Sequence, residues 1–320
     1  MERLNNPLVS VLTKNWNDYK STDACLQSLS KIAYPNYRVY IIDNGSTDGS
    51  WELLKSNYSR HILLRNEKNL GFSKGNNIAI DVALKDGCKY ILLLNNDTEV
   101  TQSFLEPLVD EAEKDEKAGI VGGKLLRLLN GRQTNIIDCT GIYIDKYFRA
   151  VDRGQGKEDK GQFNKIENIF GICAACVLYK KEMLLSTAVD GEFLDSSYFS
   201  YYEDVDLCWR AGLAGWKSVY TYKSVVYHAR AGRSRKVFKG DACSRDLQIR
   251  EIRNRYATIL KNATAMDLIS RLPFFLGYEL ARWIYYSLKM PYLWRSMPVL
   301  FNDFKEIIRK RKFVQEKIYK

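Results

Sequence analysis

Residues 37–50 read YRVYIIDNGSTDGS, an apolar run that passes directly into a polar, glycine-rich turn. Tyr37 to Ile42 has the composition of a buried strand, and Asp43 follows at its carboxyl end. Glycine permits a tight turn there, and Ser46 or Asp48 can cap a helix that follows. The stretch therefore predicts a strand that carries a carboxylate to the edge of a sheet.

The same pattern occurs before and after this stretch. Leu8 to Leu12 is an apolar run followed by the polar residues 14–17, and Tyr90 to Leu94 is an apolar run followed by NND at 95–97. Stretches with helical spacing lie between the runs, at residues 19–29, 51–57 and 74–85. This alternation predicts an α/β fold with a mostly parallel, Rossmann-like sheet and helices on both faces. Ligands of such sheets bind beyond the carboxyl ends of the strands, where all three polar stretches fall.

Each polar stretch has a chemical interpretation and a structural alternative. Asp43 can accept hydrogen bonds from a base N–H or from ribose hydroxyls. Asp97 suits Mg²⁺ or Mn²⁺, hard ions that bridge protein oxygens to a diphosphate. For both acids the alternative is a capped turn. His228 follows a strand-like run and is a further candidate ligand, with a purely structural role as its alternative.

Three acids lie within four positions in YYEDVDLCWR at 201–210. Asp206 and Arg210 are spaced as helical i,i+4 partners, which predicts a structural ion pair. Glu203 and Asp204 fall at the predicted helix start, where the helix dipole favours ionised carboxylates. Because a general base must be an ionised group in a cleft, we predict Glu203 and Asp204 as catalytic residues.

Composition excludes several classes of protein. The net charge is +11, but residues 246–320 alone hold 15 lysines and arginines against 7 acids, and no nucleic-acid recognition motif is present, so no nucleic-acid partner is expected. Seven scattered cysteines predict free thiols in a reducing compartment, and the CxxC at 173–176 lies in an apolar stretch that predicts packed thiols. No secretory signal and no run of about 18 uncharged apolar residues are found, so we expect a cytoplasmic protein.

The C-terminal segment has a composition of its own. We predict helices broken at Pro273, Pro291 and Pro298. Basic residues are interleaved with aromatic ones, namely Phe274, Phe275, Trp283, Tyr285, Tyr286, Tyr292 and Trp294. This mixture suits the headgroup level of an anionic membrane, which predicts peripheral contact with the inner face of the cell membrane through residues 262–320. The alternative is that the aromatics pack on the catalytic domain or on the second subunit of a homodimer.

In order and spacing, these segments resemble glycosyltransferase family 2, especially its rhamnosyltransferase-like branch. The resemblance covers about Pro7 to Gly232, through residues 9–17, 42–48, 69–77, 93–97, 171–181, 203–208 and His228. It implies a GT-A fold in residues 1–245, with nucleotide-sugar binding in 7–125 and the acceptor and catalytic part in 126–245. Residues 246–320 are then a basic, aromatic-rich helical extension.

The resemblance also implies roles for single residues. Asp43 is similar to the residue that contacts the pyrimidine base or its ribose, and Trp16 stands where the family usually has Tyr. Asp97 matches the last acid of the metal-binding Asp-x-Asp signature, Asp204 matches the catalytic base and His228 a metal-proximal position. Further donor-binding positions implied are Lys14, Asn15, Asn69, Gly71, Lys74, Asn77 and Asn96. Because residues 95–97 hold only one acid, the diphosphate of the donor must supply much of the binding of the ion.

The implied activity is inverting transfer of a sugar, L-rhamnose from dTDP-rhamnose, to a glycan or lipid-linked acceptor in cell-surface polysaccharide synthesis, with Mn²⁺ or Mg²⁺ bound. Hexosyl, galactofuranosyl or N-acetylhexosaminyl transfer from a UDP-sugar is an alternative, and so is a nucleotide-sugar-binding module without turnover. All of these roles depend on Asp97 and Asp204 facing one cleft.

Overall fold

The computed structural model describes residues 6–230 and 242–319, with the backbone alone at 242–244. The strands in these ranges are β1 (Val9–Asn15), β2 (Tyr37–Asn44), β3 (Ile62–Asn66), β4 (Tyr90–Leu94), β5 (Thr98–Val100), β6 (Ala118–Leu129), β7 (Arg132–Cys139), β8 (Ile142–Ile144), β9 (Ala150–Asp152), β10 (Glu167–Ile169), β11 (Cys176–Lys180) and β12 (Lys217–His228). The α-helices are α1 (Tyr19–Leu29), α2 (Ser50–Asn57), α3 (Gly71–Lys85), α4 (Leu105–Lys114), α5 (Lys181–Thr187), α6 (Glu203–Leu213), α7 (Ala242–Asn262), α8 (Ala265–Lys289) and α9 (Ser296–Phe313).

A mixed sheet forms the centre of the molecule, in the order β10-β12-β6-β11-β4-β1-β2-β3, with β5 paired to β12 and β7 to β6. Strands β3, β2, β1 and β4 pair in parallel, as do β6 and β12. Strand β11 runs antiparallel to both β4 and β6. The predicted α/β fold is confirmed, but the sheet is mixed, and its parallel run is the four adjacent strands β3, β2, β1 and β4.

Two apolar layers cover the sheet because its strand residues alternate between the faces. Val9 and Val11 pack against helices α1 and α4 on one face. Leu12 and Ile42 pack against α3, α5 and α6 on the other. All five residues of β4 are buried, as expected for a strand covered on both faces. Helices therefore cover both faces of the sheet. The carboxyl ends of the parallel strands β1, β2 and β4 lie together at one edge of it.

The C-terminal helices are tied to the catalytic part by buried charges. Asp195 accepts from Lys261 Nζ of α7 at 2.6 Å and from Lys310 Nζ of α9 at 2.7 Å. Asp206 of α6 lies 2.8 Å from Lys261 Nζ and, as predicted, pairs with Arg210 at 3.0 Å. Helix α7 begins at Ala242, so the predicted boundary after residue 245 falls in its first turn, and Gly232 lies outside the described residues.

The prolines fit the predicted helix breaks only in part. Pro273 lies inside α8, so the predicted helix break there is wrong. Its ring is exposed, and the one carbonyl that loses an N–H partner is on the outward side of the helix. Pro291 begins a 3₁₀ turn between α8 and α9. Pro298 lies in the first turn of α9, where backbone N–H groups have no helical partner, so the proline costs no helical hydrogen bond. No helix within the described ranges has the length and apolarity to cross a bilayer.

Candidate active site

Asp43 lies fully buried at the end of β2, and the parallel register sets it opposite Asn15 of β1. Its Oδ1 accepts from Asn15 Nδ2 at 3.0 Å, and its Oδ2 accepts from the backbone N–H of Ser46 at 3.1 Å. Asn15 Nδ2 also donates to Ser46 Oγ at 3.0 Å. The turns after β1 and β2 are thereby joined into one surface, and Trp16, 48% exposed, stands at its rim.

Asn44 holds the next loop against the same edge. Its Nδ2 donates to Asn69 Oδ1 at 2.9 Å and to the carbonyl of Gly71 at 3.0 Å. Gly71 has φ +81°, and a Cβ there would lie 2.5 Å from the Phe199 carbonyl oxygen, so only glycine fits this approach. Lys14 Nζ donates to the Gly71 carbonyl at 3.0 Å. Burial lowers the pKa of Lys14 to about 8.

A cavity of about 300 Å³ opens at this edge of the sheet, between the end of β4 and the start of α6. Asp97, His228, Glu203 and Asp204 all line it. The structure therefore brings the acids at 97 and 204, far apart in the chain, to a single cleft as predicted.

The Asp97 side of the cavity is built by antiparallel pairing of β5 with β12, which sets His228 opposite Thr98. His228 Nε2 lies 3.2 Å from Asp97 Oδ1, and its Nδ1 lies 2.9 Å from Oδ2 of the fully buried Asp138. Burial opposes protonation, but the two carboxylates raise the pKa of His228 to about 10. Asp138 also accepts from Arg230 Nε at 2.6 Å. Asp138 thus fixes the orientation of the imidazole through the ring nitrogen that does not face Asp97.

The chemistry of this pair fits a divalent ion only in part. No group of three or more His, Cys, Asp or Glu side chains among residues 6–230 and 245–319 could hold a metal ion. Asp97 offers one carboxylate, and His228 offers an imidazole nitrogen only after it loses the proton that its raised pKa retains at neutral pH. Mg²⁺ is usually held by one or two carboxylates together with substrate phosphates, so this set fits an ion that arrives with a diphosphate.

Glu203 and Asp204 begin α6 and lie in different environments. Burial raises the pKa of Glu203 to about 8, with a further contribution from Asp204, and its Oε2 has no hydrogen-bond partner among the described residues. Burial also raises the pKa of Asp204, but its Oδ2 accepts from the backbone N–H of Ala174 at 3.1 Å, which favours the charged form. Glu203 is therefore the acid that retains its proton, and Asp204 is the one available as a base.

The turn before α6 holds non-glycine residues in the left-handed region. Phe199, Tyr201 and Tyr202 have φ of 59°, 71° and 71°. Such a backbone is costly and persists only when its surroundings hold it. The buried amide of Asn254 in α7 does so, since its Nδ2 lies 2.9 to 3.0 Å from the carbonyl oxygens of Tyr198, Ser200 and Tyr201.

None of the nine predicted donor-binding residues lines the cavity, and this includes Asp43, Asn15 and Lys14 at the ends of β1 and β2. Lys74 is exposed on α3. Asn77 binds the backbone of Leu194 through both ends of its amide, at 2.6 and 3.0 Å. Asn96 Nδ2 donates to Thr22 Oγ1 at 3.0 Å. Cys173 and Cys176 are free thiols; Cys176 is buried as predicted, whereas Cys173 is half-buried and lines the cavity.

Sequence reasoning missed Asp138, Arg230 and Asn254. Asp138 lies in β7 without a motif around it, and it reaches His228 only through the pairing of β6 with β7 and β12. Asn254 is one polar residue in a basic helix, and no spacing singles it out. Arg230 follows His228 closely, and that proximity was the one available signal.

The sheet edge, the cleft and the covering helices define a GT-A fold of the α/β class. The chain belongs to glycosyl transferase family 2, whose family model matches residues 10–186. The predicted family membership is confirmed.

Two relatives and one solved structure show how far the similarity extends. An uncharacterized protein of Sinorhizobium fredii is 28% identical over 236 residues, which are 69% of this chain but only 24% of that protein. The N-acetylglucosaminyl-diphospho-decaprenol L-rhamnosyltransferase of Mycobacterium tuberculosis is 28% identical over 222 residues, covering 64% of this chain and 71% of the enzyme. The crystal structure of GalNAc-T7 with UDP, GalNAc and Mn²⁺ has a similar fold, with TM-score 0.63 at 14% identity over 81% of this chain and 48% of that one.

Proposed function

We propose that this family 2 member is an inverting glycosyltransferase in which Asp204 acts as general base and Asp43 contacts the nucleoside of the donor. The observation that carries the proposal is the single cavity lined by both Asp97 and Asp204. One acid lies beyond a strand of the nucleotide-binding half, and the other begins a helix of the acceptor half. A donor bound across the strand ends would place its anomeric carbon between them.

The reaction is one displacement. The acceptor hydroxyl forms a bond to the anomeric carbon while the bond from that carbon to the diphosphate breaks, and the hydroxyl proton passes to Asp204. A single in-line step inverts the anomeric configuration and needs no covalent intermediate. Asp97 and His228 would hold Mn²⁺ or Mg²⁺, which when bound would offset the negative charge on the leaving diphosphate.

We propose L-rhamnose from dTDP-rhamnose as the donor and a lipid-linked glycan as the acceptor, within cell-surface polysaccharide synthesis. Support comes from the mycobacterial relative, a rhamnosyltransferase that acts on a diphospho-decaprenol substrate by name. A UDP-sugar donor is the alternative, supported by the UDP bound in GalNAc-T7. A binding module without turnover is the alternative of another class.

A donor screen tests the function. The full chain is mixed with dTDP-rhamnose, UDP-glucose, UDP-galactofuranose or UDP-N-acetylglucosamine, with and without Mn²⁺, and its unfolding temperature and nucleotide release are measured. The expected result is stabilisation by one donor, enhanced by Mn²⁺, together with slow release of its nucleoside diphosphate. Stabilisation without release in any mixture, even when glycan acceptors are added, would favour the binding module.

Membrane contact of residues 262–320 is a further part of the proposal, and the outward face of α8 supports it. Every exposed residue of α8 from Ala265 to Leu288 is uncharged, and the first exposed charge is Lys289. Large apolar side chains dominate this face, namely Met266, Ile269, Leu272, Phe274, Leu276, Leu280, Ile284, Tyr285 and Leu288. Four of the predicted aromatic anchors, Phe275, Trp283, Tyr286 and Tyr292, instead pack against the protein.

Flotation with phosphatidylglycerol vesicles tests this contact. The triple variant I269E/L280E/L288E should lose flotation, while a variant with three added acids elsewhere on the surface should float as the unchanged protein does. Light scattering without lipid shows whether α8 instead forms a homodimer interface. A dimer that the triple variant dissociates, with no flotation of the unchanged protein, would overturn the membrane proposal.

A further inference from the structure

A second cavity, of about 290 Å³, adjoins the catalytic one. It lies between the β8–β9 hairpin, α7 and the end of α8. Ala150, Tyr202 and Glu251 line both cavities, so the two are neighbours across these three residues. Three arginines line the second cavity, Arg149, Arg255 and Arg282, and we refer to it as the arginine pocket.

Three arginines and three carboxylates surround the arginine pocket, so it is distinguished by unused guanidinium N–H groups and not by excess positive charge. Arg255 Nη1 lies 2.7 Å and Arg282 Nη2 3.0 Å from the same carboxylate, Glu279, so one acid serves two cations. The Nε of Arg282 is buried and donates to nothing among the described residues. Arg149 pairs with Asp145 at 2.7 Å but keeps 45% of its side chain exposed. Glu251 is the one carboxylate in the described lining.

The remaining walls of the pocket are apolar. Ile252, Tyr286, Met290 and Leu293 line it beside the arginines. Met290 directly follows α8, the helix whose outward face is apolar. The molecule therefore presents a catalytic cavity, a set of arginines and an apolar surface in succession. Planar guanidinium groups match phosphate oxygens through paired hydrogen bonds.

We propose that the arginine pocket binds the diphosphate of a lipid-linked acceptor, with the acceptor sugar directed to Asp204 and the first part of the lipid chain along Met290 and Leu293. This inference rests on the proposed glycosyltransferase function and adds to it a recognition site for the acceptor. It explains why the arginine pocket shares a wall with the catalytic cavity, since the diphosphate is attached directly to the sugar that reacts.

Binding of farnesyl diphosphate to the full chain tests the site without any knowledge of the sugar. Calorimetry should show farnesyl diphosphate binding while farnesol does not bind. Because a hydrogen bond to a charged group contributes about 1.5–3 kcal/mol, R149A should weaken this binding by about tenfold or more. R132A removes an exposed arginine from the β6–β7 hairpin, away from both cavities, and should bind as the unchanged protein does.

Further measurements distinguish a lipid-linked diphosphate from a phospholipid headgroup and from free pyrophosphate. R282Q, checked for an unchanged unfolding temperature, should weaken farnesyl diphosphate binding, and R282K should restore part of it. Inorganic pyrophosphate should bind more weakly than farnesyl diphosphate, and R149A should float with phosphatidylglycerol vesicles as well as R132A does. Equal farnesyl diphosphate binding by R149A, R282Q and R132A would overturn the proposal. Loss of vesicle flotation in R149A but not in R132A would also overturn it, because that result would assign the pocket to phospholipid headgroups. Failure of the donor screen with normal farnesyl diphosphate binding would overturn the enzymatic function and not this site.

Discussion

Asp43 is fully buried and Asp204 is half-buried in the cavity wall, and the two acids are held in different ways. Asp43 receives its hydrogen bonds from Asn15 and Ser46, which the parallel register of β1 and β2 places beside it. Asp204 follows a left-handed turn that Asn254 holds from α7, a separate part of the chain. The proposed nucleotide side therefore depends on local strand pairing, while the proposed base side depends on the C-terminal helices. Changes on the first side should affect donor binding, and changes on the second should affect turnover.

The largest expected effect is that of D204N on the base side. Asparagine keeps the shape and the contact with Ala174 N–H but cannot take a proton. Transfer should fall by about 10²–10⁴-fold, measured as kcat, because that is the usual contribution of a general base. Donor affinity should stay close to that of the unchanged protein. Near-normal turnover would remove Asp204 from its role.

The matched change on the nucleotide side is D43N. Asparagine has one acceptor oxygen where aspartate has two. The hydrogen bonds donated by Asn15 and Ser46 therefore compete with those donated by the nucleoside. The Kd of the donor should rise by about tenfold to a hundredfold, because hydrogen bonds to charged groups contribute about 1.5–3 kcal/mol. At saturating donor, kcat should change little. A fall in kcat with an unchanged donor Kd would contradict the division between the two sides.

The pH dependence of kcat/KM distinguishes the two acids of the base side. Burial raises the pKa of Asp204, and only its ionised form can accept the proton, so activity should fall as the pH drops through that raised pKa. Below it the loss should approach about tenfold per pH unit. E203Q should retain this acid limb. Its disappearance in E203Q would instead assign the base to Glu203.

N254A tests whether α7 holds the catalytic turn. Without the amide, three carbonyl oxygens lose their donor, and the strained residues at 199–202 should relax. We expect kcat to fall by about tenfold while donor Kd is unchanged, since misplacement of a catalytic group costs rate more than binding. N254D lacks the amide donor and should show the same loss of kcat as N254A. Thermal unfolding of both variants would measure the cost to stability. Equal losses in kcat and in donor affinity would show that the two sides are not independent.

The smallest effect is expected for W16A at the nucleotide rim. Because Trp16 is 48% exposed, its loss should leave the fold intact. Aromatic contacts contribute about 0.5–1.5 kcal/mol, which corresponds to a severalfold rise in donor Kd. W16F should recover most of this affinity. A hundredfold effect would mean that Trp16, not Asp43, is the main nucleoside contact.

The C-terminal segment shows where sequence patterns were insufficient. Its composition indicated a surface of aromatic and basic residues, but Phe275, Trp283, Tyr286 and Tyr292 pack inward, and aliphatic side chains dominate the outward face of α8. Sequence spacing places residues on a helix face but does not say which face meets the protein. Similarly, Asn77 lay in a family motif, and its amide is occupied by Leu194, 117 positions away.

By itself, the sequence determined the strand and helix order of the nucleotide-binding half and the acids at its strand ends. Those features follow from periodicity over a few residues and from strand ends that meet at one sheet edge. Only the tertiary structure decided that Asp138 stands behind His228, that Asn254 holds the turn before Asp204 and that three arginines line a second cavity. Such contacts join side chains that are 27 to 133 positions apart in the chain, and no local pattern encodes which distant residue will meet a given side chain once the core has packed.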